Sequence, residues 1–234
     1  MLKFILTFAA LAGFLASLPA NATTITFSTA LPAGHQGESV TVGGVTASGW
    51  DVSKTNNAVW SLDGVILNNR QEGPDDVGLG VCLASNCPTT GNGDINEIDN
   101  DGTSTFEVIR LDFGAPTFVD SIGLSSLDSG TKDGFAIFGG NNAQPTLSSL
   151  TAIAQGTNST VGSTNPVITI DQADRYFFVT SLKRGTSDSG SDFLLESVTT
   201  APEPYTAAML GLGLLAIGAA LRLRIANNRN EESK

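Results

Sequence analysis

The chain has 234 residues, with 12 Lys and Arg against 23 Asp and Glu, one His, and a formal net charge of −11 at pH 7. That acidity opposes association with nucleic acid or with an anionic membrane surface. About 180 residues lie between the two hydrophobic ends, enough for one domain with a sizeable core and too few to expect two.

At the N-terminus, Lys3 precedes the apolar stretch Phe4 to Leu18, which is followed by Pro19 and the small-residue site Ala20-Asn21-Ala22. A cation, a short apolar run and small residues around a cut site make residues 1–22 a secretory signal peptide, the substrate of the secretion machinery. Cleavage after Ala22 leaves Thr23 as the first mature residue. A retained N-terminal anchor is the alternative reading of the same stretch.

Residues 23–200 form the expected extracytoplasmic domain. Over 23–201, seven Lys or Arg stand against twenty Asp or Glu, a net charge of −13. Such a surface suits solubility, cations or neutral polymers. Gly, Ser, Thr, Asn and Asp interrupt short runs of Val, Ile, Leu and Phe, the composition of β structure. Strands are expected over Thr24 to Ser28, Ser39 to Val42, Ala58 to Leu62, Val65 to Leu67, Phe106 to Phe113, Phe118 to Leu127, Gly134 to Phe138, Val167 to Ile170, Tyr176 to Ser181 and Phe193 to Val198. Ile109, Leu111 and Phe113 alternate with Arg110 and Asp112, which gives one buried and one wet face; around Phe135 and Ile137 both faces read as covered. Turn signals at Asp63-Gly64, Asp101-Gly102, Asp133-Gly134 and Gly139-Gly140-Asn141-Asn142 favour antiparallel pairing. The expected fold is all-β, an antiparallel β-sandwich, jelly-roll-like, with an immunoglobulin-type Greek key as the alternative.

Cys82 and Cys87 are the only cysteines, and an even pair in an exported chain reads as a disulfide. Its loop is small, so its stabilisation should be modest, on the order of 2 kcal/mol. Two thiolates alone lack the partners of a structural zinc site, and a spacing of four intervening residues is wrong for thioredoxin-like chemistry. Asp94 to Gly102 gathers oxygen donors on one loop, with Glu97, Asp99 and Asp101 at alternating positions, a pattern that suits calcium. It departs from an EF-hand, whose twelfth position would fall on Val108, and a solvated acidic turn is the competing reading.

His35, the single histidine, lies in the glycine-rich turn Pro32 to Gly37; with no Gly-x-Ser-x-Gly elbow it gives little support to a catalytic triad. Twenty acidic residues always offer pairs, so their number is no evidence for glycoside hydrolysis. No phosphate-binding glycine loop opens a helix. Trp50, between Gly49 and Asp51, is a candidate to stack on sugar rings, whereas Trp60, flanked by Val59 and Leu62, reads as core. Asn158-Ser159-Thr160 matches a glycosylation sequon and is read as a polar loop.

The C-terminus carries a three-part signal. Pro202-Glu203-Pro204 precedes the apolar run Tyr205 to Leu221, and Arg222, Arg224 and Arg229 follow. As a helix this run rises about 25 Å, slightly short of a hydrocarbon core of about 30 Å, so a transmembrane helix over about 205–221 needs Tyr205 and snorkelling Arg222 and Arg224 at its ends. The arginines place the polar tail 227–234 in the cytoplasm and everything before the span outside. An ordinary single-span anchor is the plain reading. The order of tripeptide, Gly- and Leu-rich span and arginines over 201–226 resembles the PEP-CTERM sorting signal of exported bacterial proteins. Gly78 to Val81, Asn96 to Asp99, Glu107 to Phe113 and Ser191 to Val198 resemble segments of ectodomains that carry such tails.

The resemblance implies recognition by an exosortase at Pro202-Glu203-Pro204 and an association with exopolysaccharide or biofilm material. The expectation is therefore a non-enzymatic surface or extracellular-matrix protein, transiently anchored through its C-terminal helix. A calcium-supported carbohydrate-binding module and a glycan-degrading enzyme are the other two hypotheses.

Overall fold

A computed structural model describes residues 22–53, 59–62, 64–83, 87, 97–98, 105–127, 134–181 and 193–201, with 211, 213–215, 217–219 and 221–222 in the tail. The sequence readings at Ala20, Asp99, Asp101, Pro202, Glu203, Pro204 and Arg224 lie outside these residues. The chain divides into two units, residues 22–201 and the two ends together. The described residues of the C-terminal end are helical, with Leu215, Ile217 and Leu221 exposed. Among the described residues no helix is long and apolar enough to cross a membrane, and about half of the expected span, 205–221, lies outside them.

Unit 22–201 is an antiparallel β-sandwich. Its elements are β1 (Thr23–Thr26), the single helical turn α1 (Phe27–Ala30), β2 (Gly34–Gly37), β3 (Ser39–Val42), β4 (Val45–Ser53), β5 (Trp60–Ser61), β6 (Val65–Gln71) and β7 (Val77–Leu83). They continue with β8 (Thr105–Ser125), β9 (Gly134–Gly140), β10 (Ala154–Thr157), the turn α2 (Asn158–Val161), β11 (Val167–Ser181) and β12 (Leu194–Thr200). The two long strands make the architecture. The first part of β8 pairs with β4 on one edge and with Tyr176 to Thr180 of β11 on the other, while its last part pairs with β12 and with the start of β11. One layer therefore runs β3-β4-β8-β11-β9-β10, with β5 on β4. The other runs β2-β6-β7-β12-β8-β11, with β1 on the outer edge of β12.

Period-two alternation places the core between these layers. Val45 and Ala47 of β4, Ile109 and Leu111 of β8, Phe135 and Ile137 of β9, and Phe177 and Val179 of β11 point inward from the first layer. Leu67 of β6, Leu79 and Val81 of β7, Ile122 and Leu124 of β8, and Leu195 and Val198 of β12 meet them. Gly49 marks a close approach, because a Cβ there would lie 3.0 Å from Val65 and 3.3 Å from Leu67 of the facing layer.

Several sequence expectations are corrected. The strands expected over Phe106 to Phe113 and Phe118 to Leu127 are one strand that ends at Ser125, since the chain bends at Gly114 without leaving the sheet; φ of Gly114 is 74° and its N–H donates to Asp112 Oδ1 at 2.8 Å. Val167 to Ile170 and Tyr176 to Ser181 likewise join into β11 across register shifts. β4, β7 and β10 were not expected, because glycine and small polar residues dilute their apolar pattern. Thr24 to Ser28 stops at Thr26, where Phe27 turns into the core as the buried residue of α1. His35 is exposed on the edge strand β2, paired with Asn68 of β6, so its segment is a strand and not a free turn.

Candidate functional site

Two polar constellations stand out, and the first is built on β6 and β7. Asn68 and Arg70 lie on the outer face of β6, opposite Gly80 and Gly78 of β7. Arg70 is only 6% exposed and is surrounded by three carboxylates. Its Nη1 donates to Glu97, its Nε lies 3.1 Å and its Nη2 3.0 Å from Glu72 Oε2, and Nη2 is 3.7 Å from Asp76. The Ser126 hydroxyl lies 2.8 Å from Glu97 Oε1 and 2.9 Å from Asp76 Oδ1. A buried guanidinium needs this density of acceptors, because an unpaired charge at low dielectric is strongly unfavourable.

Glu97 and Ile98 close this end of the sandwich. Val81 N–H points to the Glu97 carbonyl at 3.5 Å, Ile98 N–H donates to the Phe193 carbonyl at 2.8 Å, and the Ile98 side chain is wholly buried in the core. Glu97, expected as an oxygen ligand for calcium, is 3% exposed and directs its carboxylate at Arg70, a cation already in place. Among the described residues no group of three or more His, Cys, Asp or Glu is placed to hold a metal. Cys82 and Cys87 form the expected disulfide, with Cα atoms 5.3 Å apart. Asn68 Nδ2 reaches Cys87 Sγ at 3.7 Å, so the disulfide borders the Arg70 cluster.

The second constellation covers the outer face of the other layer, the one expected to be wet at Arg110 and Asp112. Trp50, Val52, Val108, Tyr176 and Phe178 form a separate apolar cluster, roofed by Leu147, Trp60 and Leu150. Trp60 Nε1 donates to the Pro145 carbonyl at 3.0 Å, which pins the roof. Trp50 is 6% exposed and packs edge-on against Trp60, with ring centroids 5.7 Å apart. The solvent-facing platform considered at Trp50 is thus corrected to a core position; its indole N–H donates to Ser48 at 2.9 Å.

A ladder of rings and guanidinium groups runs from this cluster to solvent. Arg110 Cζ lies 4.7 Å from the Trp50 ring centre and 5.7 Å from that of Tyr176, and Arg175 covers Tyr176 at 4.8 Å. Burial lowers the pKa of Arg110, partly offset by Asp112. Burial pushes the Asp112 carboxyl up, but the Arg175 side chain and the Gly114 N–H hold it below its ordinary value on balance. Arg175 bonds Asp112 through Nε at 3.1 Å and Nη2 at 3.3 Å. Stacking on a sugar needs a bare ring face; here Arg110 and Arg175 occupy the ring of Tyr176.

Glu196 sits at the bulge in β12, where the register to β8 shifts between Leu195 and Ser197. Partial burial pushes its pKa up. A carboxyl with a raised folded-state pKa contributes most below the unfolded value, and that contribution is lost as pH rises through the folded value. Glu196→Gln is therefore expected to unfold at a higher temperature than the unaltered chain at about pH 7, with the two converging near about pH 4, as thermal scans would show.

Arg70, Ser126, Arg110 and Arg175 went unremarked as site residues in the sequence. The available signal was Arg70 itself, a cation within a strand of an acidic domain.

No family model matches the chain, and no curated protein matches it. Among solved structures, a family 32 carbohydrate-binding module from C. perfringens NanJ, determined in complex with galactose, is similar at 13% identity, covering 70% of this chain and 98% of that one with a TM-score of 0.33. At that score the likeness assigns neither topology nor ligand here.

Proposed function

We propose that the chain is an exported, non-enzymatic surface or extracellular-matrix protein whose jelly-roll-like module is delivered by the signal peptide and sorted by an exosortase at Pro202-Glu203-Pro204. The observation that supports it is the coincidence of boundaries. The compact unit is Ala22 to Ala201, the expected cleavage site ends at Ala22, and the tripeptide begins at Pro202. The first and last strands pair directly, Thr23 with Thr200 and Ile25 with Val198. Both hydrophobic ends can then be removed without withdrawing a strand from either sheet. In this reading the module leaves the membrane by loss of its tail, and its acidic surface keeps it soluble among matrix polymers such as exopolysaccharide.

The test is fractionation of cells that contain an exosortase and express either the full chain or a variant with Pro202, Glu203 and Pro204 replaced by alanine. The full chain is expected at the surface or in the medium and the variant in the membrane fraction. Identical distributions would sink the sorting reading.

A further inference from the structure

The N-terminal strand is short, and each of its residues is engaged. β1 pairs antiparallel with β12, Thr23 opposite Thr200, Thr24 opposite Thr199, Ile25 opposite Val198 and Thr26 opposite Ser197. The Thr24 and Thr199 hydroxyls lie 3.0 Å apart, and the Thr200 hydroxyl donates to the Thr23 carbonyl at 3.4 Å. Ile25 is 7% exposed, and Phe27, which opens α1, is wholly buried in the core between the layers. The end of β12 is itself held, since Ala201 N–H donates to the Phe118 carbonyl at 3.1 Å. Ala22, one residue before β1, is exposed.

The expected leader cut falls between Ala22 and Thr23, at the rim of this pairing. A protease that receives its substrate as an extended strand pairs with the main chain on both sides of the bond it breaks. In the folded module the residues after the cut already lie in a ladder with β12. From Ala22 to Ile25 the chain reaches at most about 11 Å, so an anchored Ile25 leaves no slack to draw Thr23 and Thr24 into a cleft. The cut is reached only if β1 leaves the sheet. Withdrawing the Ile25 side chain alone leaves fewer than about one chain in ten open, the factor that goes with burying one such side chain. Among the described residues β1 has no strand partner but β12, and β12 is the last strand of the module. A chain exported from its N-terminus therefore keeps Thr23 to Thr26 unpaired until almost the whole module has crossed.

We propose that docking of β1 on β12 shields the leader cut, so that the leader is removed while the sheet is incomplete and a module that folds with its leader attached retains it. The reaction is hydrolysis of the Ala22–Thr23 peptide bond, in which water supplies the oxygen of the new Ala22 carboxylate and a proton of the new Thr23 amine. The inference rests on residues 1–22 being a leader, as in the proposed function, and adds a time limit set by the fold. The limit comes from strand order: the first strand waits for the last, and the cut stays open for as long as it waits.

The test is cleavage by purified bacterial signal peptidase of the full chain refolded in detergent, compared with the same chain carrying Thr-Thr-Gly-Ser-Gly-Ser inserted between Ala22 and Thr23. The insertion keeps the residues on both sides of the cut and moves the cut about 20 Å of extended chain away from β1. It lies outside the module, so both chains should unfold at the same urea midpoint. The inserted chain is expected to be cut at least about tenfold faster. Equal rates, including no cutting of either chain, would overturn the inference. A peptide of residues 1–30 then shows what else falls: if the peptide is cut, the leader reading stands without the time limit, and if it is not, the leader reading falls as well.

Discussion

Replacing Arg70 with methionine is expected to lower the unfolding free energy of the module by about 3–5 kcal/mol, read from urea denaturation of the full chain. The magnitude comes from what is left behind. Glu97 is as buried as Arg70, and with Glu72 and Asp76 it would form an acidic cluster without its guanidinium. The charges destabilise one another, and the Glu97 carboxylate is far from water. The double variant Arg70→Met with Glu97→Leu should recover most of the loss, because two apolar side chains of similar volume replace a buried pair at little net cost. A single-variant loss below about 1 kcal/mol would mean that the cluster behaves as an exposed ion pair.

Gly78→Ala is the second large effect, expected to cost about 3 kcal/mol or more in the same assay. Gly78 has φ 144°, and a Cβ there would lie 2.6 Å from the Leu195 carbonyl oxygen and 3.0 Å from Glu196 Cα. The obstacle is backbone of the neighbouring strand, so no rotamer change relieves it. β7 and β12 would have to separate, and that opens the end of the sandwich where Glu97 and Ile98 dock. Gly80→Ala, also on β7, is the natural comparison and should be milder, because φ of Gly80 lies outside the left-handed region.

The contrast between these two glycines also shows what the sequence can and cannot disclose. The alternation of Ile109, Leu111 and Phe113 is a local property, and it correctly places one face of β8 in the core. The Cys82–Cys87 disulfide is equally local and was legible from spacing and number. What escaped was whatever depended on distant partners. Phe106 to Phe113 and Phe118 to Leu127 read as separate strands, yet Asp112 and Arg175 hold the Gly114 segment between them as a bend within one strand that serves both layers. Trp50, between Gly49 and Asp51, reads as readily exposed as buried, and a roof from Trp60 and Leu147 decides it. The Glu97 loop has the composition of a ligand loop; its carboxylate nevertheless meets an arginine 27 positions earlier. Flanking residues report the strand, whereas the opposite strand decides which polar atoms are buried.

The proposed function requires a folded module bounded by two removable ends. Intact-mass analysis of the native protein recovered from outside the cell tests this most directly. The expected species begins at Thr23 and lacks the Tyr205 to Leu221 run. Recovery of the full 234-residue mass, with leader and tail both retained, would contradict it.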